Sequence, residues 1–127
     1  MAVTDWSTET ILVVDDAEAI RKLVCAMLSA SGYNCLEASD GHEALRIVED
    51  SRHTFKLVLT DMIMPKMNGV ELARHVQRIR PEVPIVFMSG YVDDPIVRHV
   101  GQSATFLPKP FTATDLLETV RQSLDRP

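Results

Sequence analysis

Residues 57–65 have the sequence LVLTDMIMP: a short apolar run, a single acid at its end, and a loop that contains proline. A run of this length inside a chain of helical patterns is typical of a buried strand in a parallel sheet. Asp61 then lies at the carboxyl end of the strand, which is the edge of an open α/β sheet where ligands bind. The stretch therefore makes Asp61 the first candidate for a functional residue.

Strand patterns and helical patterns alternate along the rest of the chain. We predict strands over residues 11–14, 34–38, 55–60, 84–88 and 104–107. Five helices are predicted to follow them, with Asp16, Asp40, Asn68, Asp94 and Thr112 as their capping residues. The helix after Asp94 has the weakest apolar pattern. This alternation implies right-handed crossovers and a parallel sheet covered by helices on both faces, which is an α/β fold.

The spacing of apolar residues within each helix predicts which side chains face the core. In the first helix the predicted inner face includes Leu23, and in the third helix it includes Ile79. Gly32 is predicted to end the first helix in a left-handed conformation. Gly69 is predicted to let the backbone turn tightly beside Asn68.

Length and composition limit the domain count and the kinds of partner. The chain has 127 residues, which is close to the commonest size of a single domain. Its formal net charge of −5 argues against a nucleic-acid-binding face, and no apolar run approaches the roughly 20 residues of a membrane span. Cys25 and Cys35 lack the number and spacing of a disulfide framework or a zinc site. We expect a flexible lead-in over residues 1–8, one domain over residues 9–127, and a cytoplasmic location.

Polar side chains follow four of the predicted strands. Asp15 and Asp16 follow the first, Asp61 the third, Ser89 the fourth and Lys109 the fifth. A parallel sheet brings these ends to one edge, so three carboxylates converge if the first and third strands are neighbours. Carboxylates this close repel one another unless a cation lies among them, and Mg²⁺ takes one or two carboxylates together with waters and phosphate oxygens. The pattern therefore predicts a Mg²⁺ site beside Asp61.

The remaining polar groups match the needs of phosphoryl transfer. Lys109 supplies a point charge for one phosphoryl oxygen, and Ser89 supplies a hydroxyl for another. Asp61 is then the carboxylate that can attack, as in aspartyl-phosphate chemistry. In a simpler interpretation Asp16 only caps a helix and Asp61 is only solvated in a loop, but this leaves Ser89 and Lys109 without an explanation.

Residues 10–125 resemble the receiver domain of two-component response regulators. The resemblance is carried by VVDD at 13–16, DMIMP at 61–65 with Gly69, MSGY at 88–91 and PKPF at 108–111. The segments around Ser89 and Lys109 are most similar to receivers at the C-terminus of hybrid histidine kinases. The resemblance implies a flavodoxin-like (βα)5 fold, a three-layer sandwich whose five parallel strands have the order 2-1-3-4-5.

The same resemblance implies roles for the acids of the site. Asp61 would take a phosphoryl group from a histidine of a histidine kinase or of a histidine phosphotransfer protein. Asp16 and Asp61 would bind Mg²⁺ directly, together with the main-chain carbonyl of Ile63. Asp15 would act on the ion mainly through water.

The resemblance also implies a switch. Ser89 and Lys109 would hold the phosphoryl oxygens, and the Lys109–Pro110 bond is expected to be cis. Phosphorylation would move Ser89 and Phe106 and change the surface of the fourth helix, fifth strand and fifth helix, which an unknown downstream protein would bind. Phe106 stands where the family commonly has tyrosine, so the switch would depend on packing alone.

Ile63 and Tyr91 occupy the two positions that flank the site in this family. Both side chains are bulky, and neither carries a carboxylate or an amide that would orient a water molecule. We therefore expect the phosphorylated form to lose its phosphoryl group slowly.

Three alternatives differ from this function in their chemistry. An aspartyl-phosphate phosphatase needs a second acid two residues after the nucleophile, where this chain has Ile63. A nucleotide- or flavin-binding fold needs a glycine-rich first loop, where residues 15–18 are DDAE. A degenerate receiver used only for docking stays open because of Phe106. We expect a signalling domain rather than an enzyme, without nucleic-acid or membrane partners, either as a separate protein or as part of a hybrid histidine kinase.

Overall fold

The computed structural model describes residues 9–90 and 105–125, which include five strands and four helices. The strands are β1 Thr10–Val14, β2 Asn34–Ala38, β3 Leu57–Asp61, β4 Ile85–Ser89 and β5 Thr105–Pro108. The helices are α1 Glu18–Ala30, α2 Gly41–Glu49, α3 Gly69–Ile79 and a C-terminal helix, Ala113–Asp125. Tyr91 and the helix predicted after Asp94 lie outside the described residues.

The five strands form one parallel sheet in the order β2-β1-β3-β4-β5. This confirms the predicted order and the predicted edge position of residues 34–38. In the register of the sheet, Asp61 lies opposite Met88 on β4, and Ser89 lies opposite Pro108 on β5. The carboxyl ends of β1, β3, β4 and β5 therefore meet at one edge, as the candidate site requires.

Alternate side chains of the sheet pack into two separate layers. One layer joins the sheet to α1 and the C-terminal helix, and its buried residues include Val13, Leu28, Leu59 and Leu116. The other joins the sheet to α2 and α3. The central strand β3 contributes to both, since all five of its residues are buried. Each fully buried valine or leucine stabilises the fold by about 1.5–3 kcal/mol relative to an exposed one.

Three of the predicted helix caps are confirmed. The Asp40 carboxylate accepts from the Glu43 N–H at 2.7 Å, and the Asn68 side chain accepts from the Glu71 N–H at 2.9 Å. At the start of the C-terminal helix the Thr112 hydroxyl accepts from the N–H of Asp115 at 3.0 Å. These bonds satisfy backbone donors that have no partner within the first turn of a helix.

The predicted cap at Asp16 is wrong. The first residue before α1 is Ala17, which makes no side-chain capping bond. The N–H of Ala17 donates instead to the carboxylate of Asp15 at 2.9 Å. The Asp16 side chain is exposed and is therefore available for another role.

Two residues predicted to face the core are exposed. Leu23 on α1 is 52% exposed and Ile79 on α3 is 37% exposed. In α1 the buried stripe consists of Val24, Cys25 and Leu28, so it is narrower than the apolar pattern. Ile79 is the last residue of its helix. Helical spacing predicts the direction of a buried stripe but not its width or the point at which it leaves the sheet.

Gly69 is required for a reason other than the predicted tight turn. Gly32 has the expected positive φ of 94°, whereas in the loop before α3 the residue with positive φ is Lys66. A Cβ atom at Gly69 would collide with the main-chain carbonyl of Asp61. The N–H of Gly69 donates to the carbonyl of Met62 at 2.9 Å. The first turn of α3 therefore packs directly on the end of β3.

Candidate functional site

Three carboxylates meet at the carboxyl ends of β1 and β3. Asp15 is completely buried, Asp61 is 8% exposed, and Asp16 is exposed. One oxygen from each of the three lies within 4.8 Å of one oxygen from each of the others. The adjacent β1 and β3 thus bring the acids together, as the sequence predicts.

Lys109 joins this acidic cluster from the loop after β5. Its ammonium nitrogen lies 3.3 Å from Asp61 Oδ1 and 3.4 Å from Asp15 Oδ2. These distances exceed the roughly 2.7–2.9 Å of a strong charge-assisted hydrogen bond, so the ammonium is shared between the two acids. The N–H of Lys109 donates to the carbonyl of Ser89 at 2.7 Å. That bond ties the loop of Lys109 to the end of β4, and the Lys109–Pro110 bond is cis, as expected.

The charges of the cluster do not balance. Three carboxylates and one ammonium sum formally to −3 + 1 = −2. Burial raises the pKa of Asp61 above its ordinary value, the Lys109 ammonium opposes that shift, and the Asp15 and Asp16 carboxylates add to it. One more centre of positive charge would therefore favour the ionised form of Asp61.

The acidic cluster fits a small divalent cation. All of its donors are oxygens, which Mg²⁺ prefers. One oxygen from each carboxylate lies within 4.8 Å of the others, so the three acids are close enough to approach one ion, directly or through water. Asp15, Asp16 and Asp61 therefore form a group that could hold Mg²⁺.

Ile63 lies in the loop that follows β3, and this loop is fixed at several points. The N–H of Met62 donates to the carbonyl of Met88 at 3.1 Å, and the side chains of Met62 and Met64 are buried. The side chain of Ile63 between them is 39% exposed. Its main chain thus belongs to a well-anchored turn directly after Asp61, while its side chain faces solvent.

Ser89 and Phe106 belong to the neighbouring strands β4 and β5. Ser89 is 4% exposed and is the last residue of β4, directly after Met88, which lies opposite Asp61. Phe106 is half-buried, and its ring contacts that of Phe87 at a centroid distance of 5.9 Å with an angle of 36° between the planes. The two residues of the predicted switch, Ser89 and Phe106, therefore lie on adjacent paired strands, as a coupled movement of the two requires.

Sequence reasoning missed Arg21 on α1. Its guanidinium donates to the main-chain carbonyl of Asp15 at 2.8 Å and to the carboxylate of Glu37 on β2 at 3.0 Å. The Arg21 side chain is only 11% exposed. The sequence did contain a signal for this residue, since Arg21 follows Ile20 on the apolar side of the first helix. A charged group in that position needs a partner, so its place predicts a partly buried polar contact.

No helix within residues 9–90 and 105–125 is both long enough and apolar enough to cross a membrane.

Known proteins resemble the chain over nearly all its length. The Sensor kinase CckA of Brucella abortus (strain 2308) is 36% identical over 126 residues, which are 97% of this chain and 13% of the kinase. The phosphate regulon transcriptional regulatory protein PhoB of Pseudomonas aeruginosa is 31% identical over 122 residues, which are 93% of this chain and 52% of that regulator. The chain thus spans a small part of the kinase and about half of the regulator.

Solved structures show the same fold. The receiver domain of the hybrid histidine kinase CckA is 37% identical, has a TM-score of 0.77, and the match covers 91% of this chain and 99% of that one. A response regulator receiver domain protein of Clostridium thermocellum is 32% identical with a TM-score of 0.83, and the match covers 93% and 95% of the two chains. The fold is therefore flavodoxin-like, and the predicted similarity to receivers of hybrid histidine kinases is confirmed.

The sequence profile of one family, described as the response regulator receiver domain, matches residues 11–121. That match includes the sheet from Ile11 onward and every residue of the candidate site. The chain belongs to the response regulator receiver domain family of two-component signalling systems.

Proposed function

We propose that Asp61 of this receiver domain accepts a phosphoryl group from a phosphohistidine of a histidine kinase or a histidine phosphotransfer protein. The observation that carries the proposal is the Lys109 ammonium, which lies within 3.4 Å of oxygens of both Asp15 and Asp61 at the edge of the sheet. Such a donor would place the reaction in the cytoplasm. The domain is then a signalling domain that assists its own phosphoryl transfer.

The transfer forms one bond and breaks one. An oxygen of the Asp61 carboxylate attacks phosphorus, the P–N bond to the donor histidine breaks, and the electron pair of that bond stays on the imidazole. The product is an acyl phosphate on Asp61 and a free histidine. During transfer the negative charge is spread over three phosphoryl oxygens, so catalysis depends on positioning and on nearby positive charge.

The residues of this chain supply that environment. Asp15, Asp16, Asp61 and the main-chain carbonyl of Ile63 are the proposed Mg²⁺ ligands, with Asp15 acting mainly through water. When bound, Mg²⁺ supplies positive charge to the phosphoryl oxygens. The burial of Asp15 and Asp61 lowers the local dielectric and strengthens each of these interactions.

Lys109 and Ser89 are the proposed contacts to the phosphoryl oxygens. The Lys109 side chain is 25% exposed, and its ammonium donates to both carboxylates over long distances of 3.3 and 3.4 Å, so it can turn towards an incoming anion. The Ser89 hydroxyl can donate to a second oxygen from the end of β4. The backbone bond between Lys109 and Ser89 keeps their loops together during this exchange.

We propose that the signal passes from Ser89 to Phe106. A shift of Ser89 towards the phosphoryl group changes the end of β4, against which β5 is paired. Phe106 has no hydroxyl, so its response depends on repacking against Phe87. The surface proposed to change is that of the predicted fourth helix, β5 and the C-terminal helix, where a downstream protein would bind.

The proposal is tested with a small phosphoryl donor such as acetyl phosphate in the presence of Mg²⁺, with intact mass as the measurement. Wild type should gain one phosphoryl group, and Asp61→Asn should gain none. Asp50→Asn is the matched control, because Asp50 is paired with Arg52 away from the acidic cluster. Phosphorylation of Asp61→Asn would overturn the assignment of the acceptor. Failure of wild type with both the small donor and a phosphohistidine donor would favour a receiver used only for docking.

A further inference from the structure

We infer that Arg21 is a positioning residue for the acidic pair, and that Glu37 acts through it. Arg21 fixes the direction of the peptide group between Asp15 and Asp16, and Glu37 fixes the guanidinium that does so. This inference rests on the proposed function, because its consequence is the affinity of the cluster for Mg²⁺.

The contacts of Arg21 reach two elements at once. Its Nη1 donates to the main-chain carbonyl of Asp15 at 2.8 Å, and its Nε donates to Glu37 Oε1 at 3.0 Å. The Arg21 side chain is 11% exposed and that of Glu37 is 30% exposed. The planar guanidinium presents these donors in a fixed geometry, so holding one contact orients the other.

The carbonyl that Arg21 holds belongs to the peptide group that links the two acids Asp15 and Asp16. A peptide group is planar, so the carbonyl of Asp15 lies in the plane that also contains the Cα atoms of Asp15 and Asp16. Rotation of that plane changes the directions in which both carboxylates leave the backbone. Fixing the carbonyl therefore fixes the relative placement of the two acids.

Within residues 9–90 and 105–125, the turn is also held through the N–H and the carboxylate of Asp15, which Lys109 contacts as well. The N–H of Asp15 donates to the carbonyl of Ala38 at 3.2 Å, and the Asp15 carboxylate accepts from the N–H of Ala17 at 2.9 Å. Ala17 provides no side-chain cap for α1. The Asp15 carboxylate is thus engaged in the turn itself, and among the described residues Arg21 is the side chain that holds the following peptide.

Arg21 acts by geometry rather than by its charge. The carboxylate of Glu37 accompanies the guanidinium at 3.0 Å, so the pair adds little net charge near the cluster. Lys22 binds the same carboxylate at 3.1 Å, but its side chain is 59% exposed. Lys22 therefore offers a matched control, because it shares the partner of Arg21 while pointing to solvent.

The test compares Arg21→Gln with Lys22→Gln by NMR titration with MgCl₂, which reports folding and Mg²⁺ affinity in the same spectra. Loss of a residue that orients metal ligands typically lowers metal affinity by about 10- to 100-fold, so Arg21→Gln should raise the Mg²⁺ Kd by about tenfold or more. Lys22→Gln should leave the Kd unchanged. At saturating Mg²⁺ the phosphorylation rate of Arg21→Gln should return towards that of wild type, which general damage to the fold would not allow.

Two further variants keep the test decisive if Arg21→Gln does not fold. Arg21→Lys keeps the charge but lacks the fork that reaches both partners, and it should still raise the Mg²⁺ Kd. Glu37→Gln should raise the Kd by a smaller factor, and adding it to an Arg21 variant should cost nothing more, because both act through one contact.

The possible failures are distinguishable. An Arg21→Gln Kd equal to that of wild type, or an equal rise in Lys22→Gln, would overturn the inference. In the event that Arg21→Gln does not fold, an unchanged Kd in Arg21→Lys would overturn it. If wild type itself neither binds Mg²⁺ nor gains a phosphoryl group, the proposed function fails instead.

Discussion

The ammonium nitrogen of Lys109 lies 3.3 Å from Asp61 Oδ1, although 48 positions separate the two residues in the sequence. The parallel sheet alone makes this contact possible, because it aligns the ends of β3 and β5 on either side of β4. Lys109 is thus the described cation nearest to the proposed acceptor, and it also contacts the buried Asp15.

Replacement of Lys109 by Gln should slow phosphorylation without abolishing the acceptor. Removal of one preorganised group that stabilises the charge of a transition state typically lowers the rate by about 10²- to 10³-fold. We therefore expect the phosphorylation rate of Lys109→Gln to fall by about 10²-fold or more. The measurement is intact mass against time with a small phosphoryl donor at saturating Mg²⁺. Lys56→Gln, at an exposed lysine before β3, is the control and should react at the wild-type rate. Equal rates for the two variants would contradict the proposed role.

Mg²⁺ should stabilise the folded domain. A ligand at 100 times its Kd that binds only the folded state adds about 2.7 kcal/mol to the free energy of unfolding. Urea unfolding with and without MgCl₂ measures this gain, and Asp16→Asn should lose most of it because its carboxylate belongs to the cluster. Sodium chloride at matched ionic strength controls for screening. An equal gain from sodium chloride would show that no specific site is filled.

Without Mg²⁺, the stability of the domain should depend on pH through Asp61. Burial chiefly raises the pKa of this carboxyl in the folded state. The folded state therefore binds the proton more tightly than the unfolded chain, in which the pKa of aspartate is about 3.9. The contribution of Asp61 to stability is fully present below that value and is lost as pH rises through the folded pKa.

Asp61→Asn isolates this pH dependence, because asparagine does not titrate. The free energy of unfolding of the variant minus that of wild type should grow as pH rises through the folded pKa and then level off. Thermal or urea unfolding over a pH series in a chelating buffer gives the difference. A difference that stays constant across the series, or shrinks as pH rises, would contradict the prediction.

The phosphorylated form should lose its phosphoryl group faster when polar groups flank the site. Ile63 is 39% exposed after Asp61, so an asparagine there can orient water without disturbing the core. Ile63→Asn combined with Tyr91→Glu should shorten the lifetime of the acyl phosphate, measured by intact mass after removal of the donor. Ile79→Asn is the control, since it changes an isoleucine of similar exposure, 37%, at the far end of α3. An unchanged lifetime in the double variant would refute the hypothesis.

The strands and the residues that follow them could be predicted because both depend on local patterns. In four of the strands an apolar run ends in, or directly before, a polar side chain. A parallel sheet places the carboxyl ends of all its strands at one edge, and this does not depend on the details of side-chain packing. Asp15 and Lys109 directly follow their strands, and Asp61 and Ser89 are the last residues of theirs. The convergence of the acids at one edge is therefore a consequence of strand order alone.

The errors concern properties that depend on tertiary placement. The capping prediction for Asp16 failed because α1 begins at Glu18, so Ala17 rather than Asp16 occupies the capping position. Leu23 faces solvent because the width of the buried stripe depends on how α1 sits on the sheet. Arg21 was missed for a similar reason, since its importance comes from Asp15 and Glu37, which the sheet brings to it.

The absence of a side chain at Gly69 has a consequence for genetics. Every single-nucleotide missense change of a glycine codon introduces a side chain, and here its Cβ would strike the carbonyl of Asp61. Random mutagenesis followed by selection for inactive alleles should therefore recover substitutions at position 69 as well as at the charged residues of the site. Glycine itself offers no reactive atom.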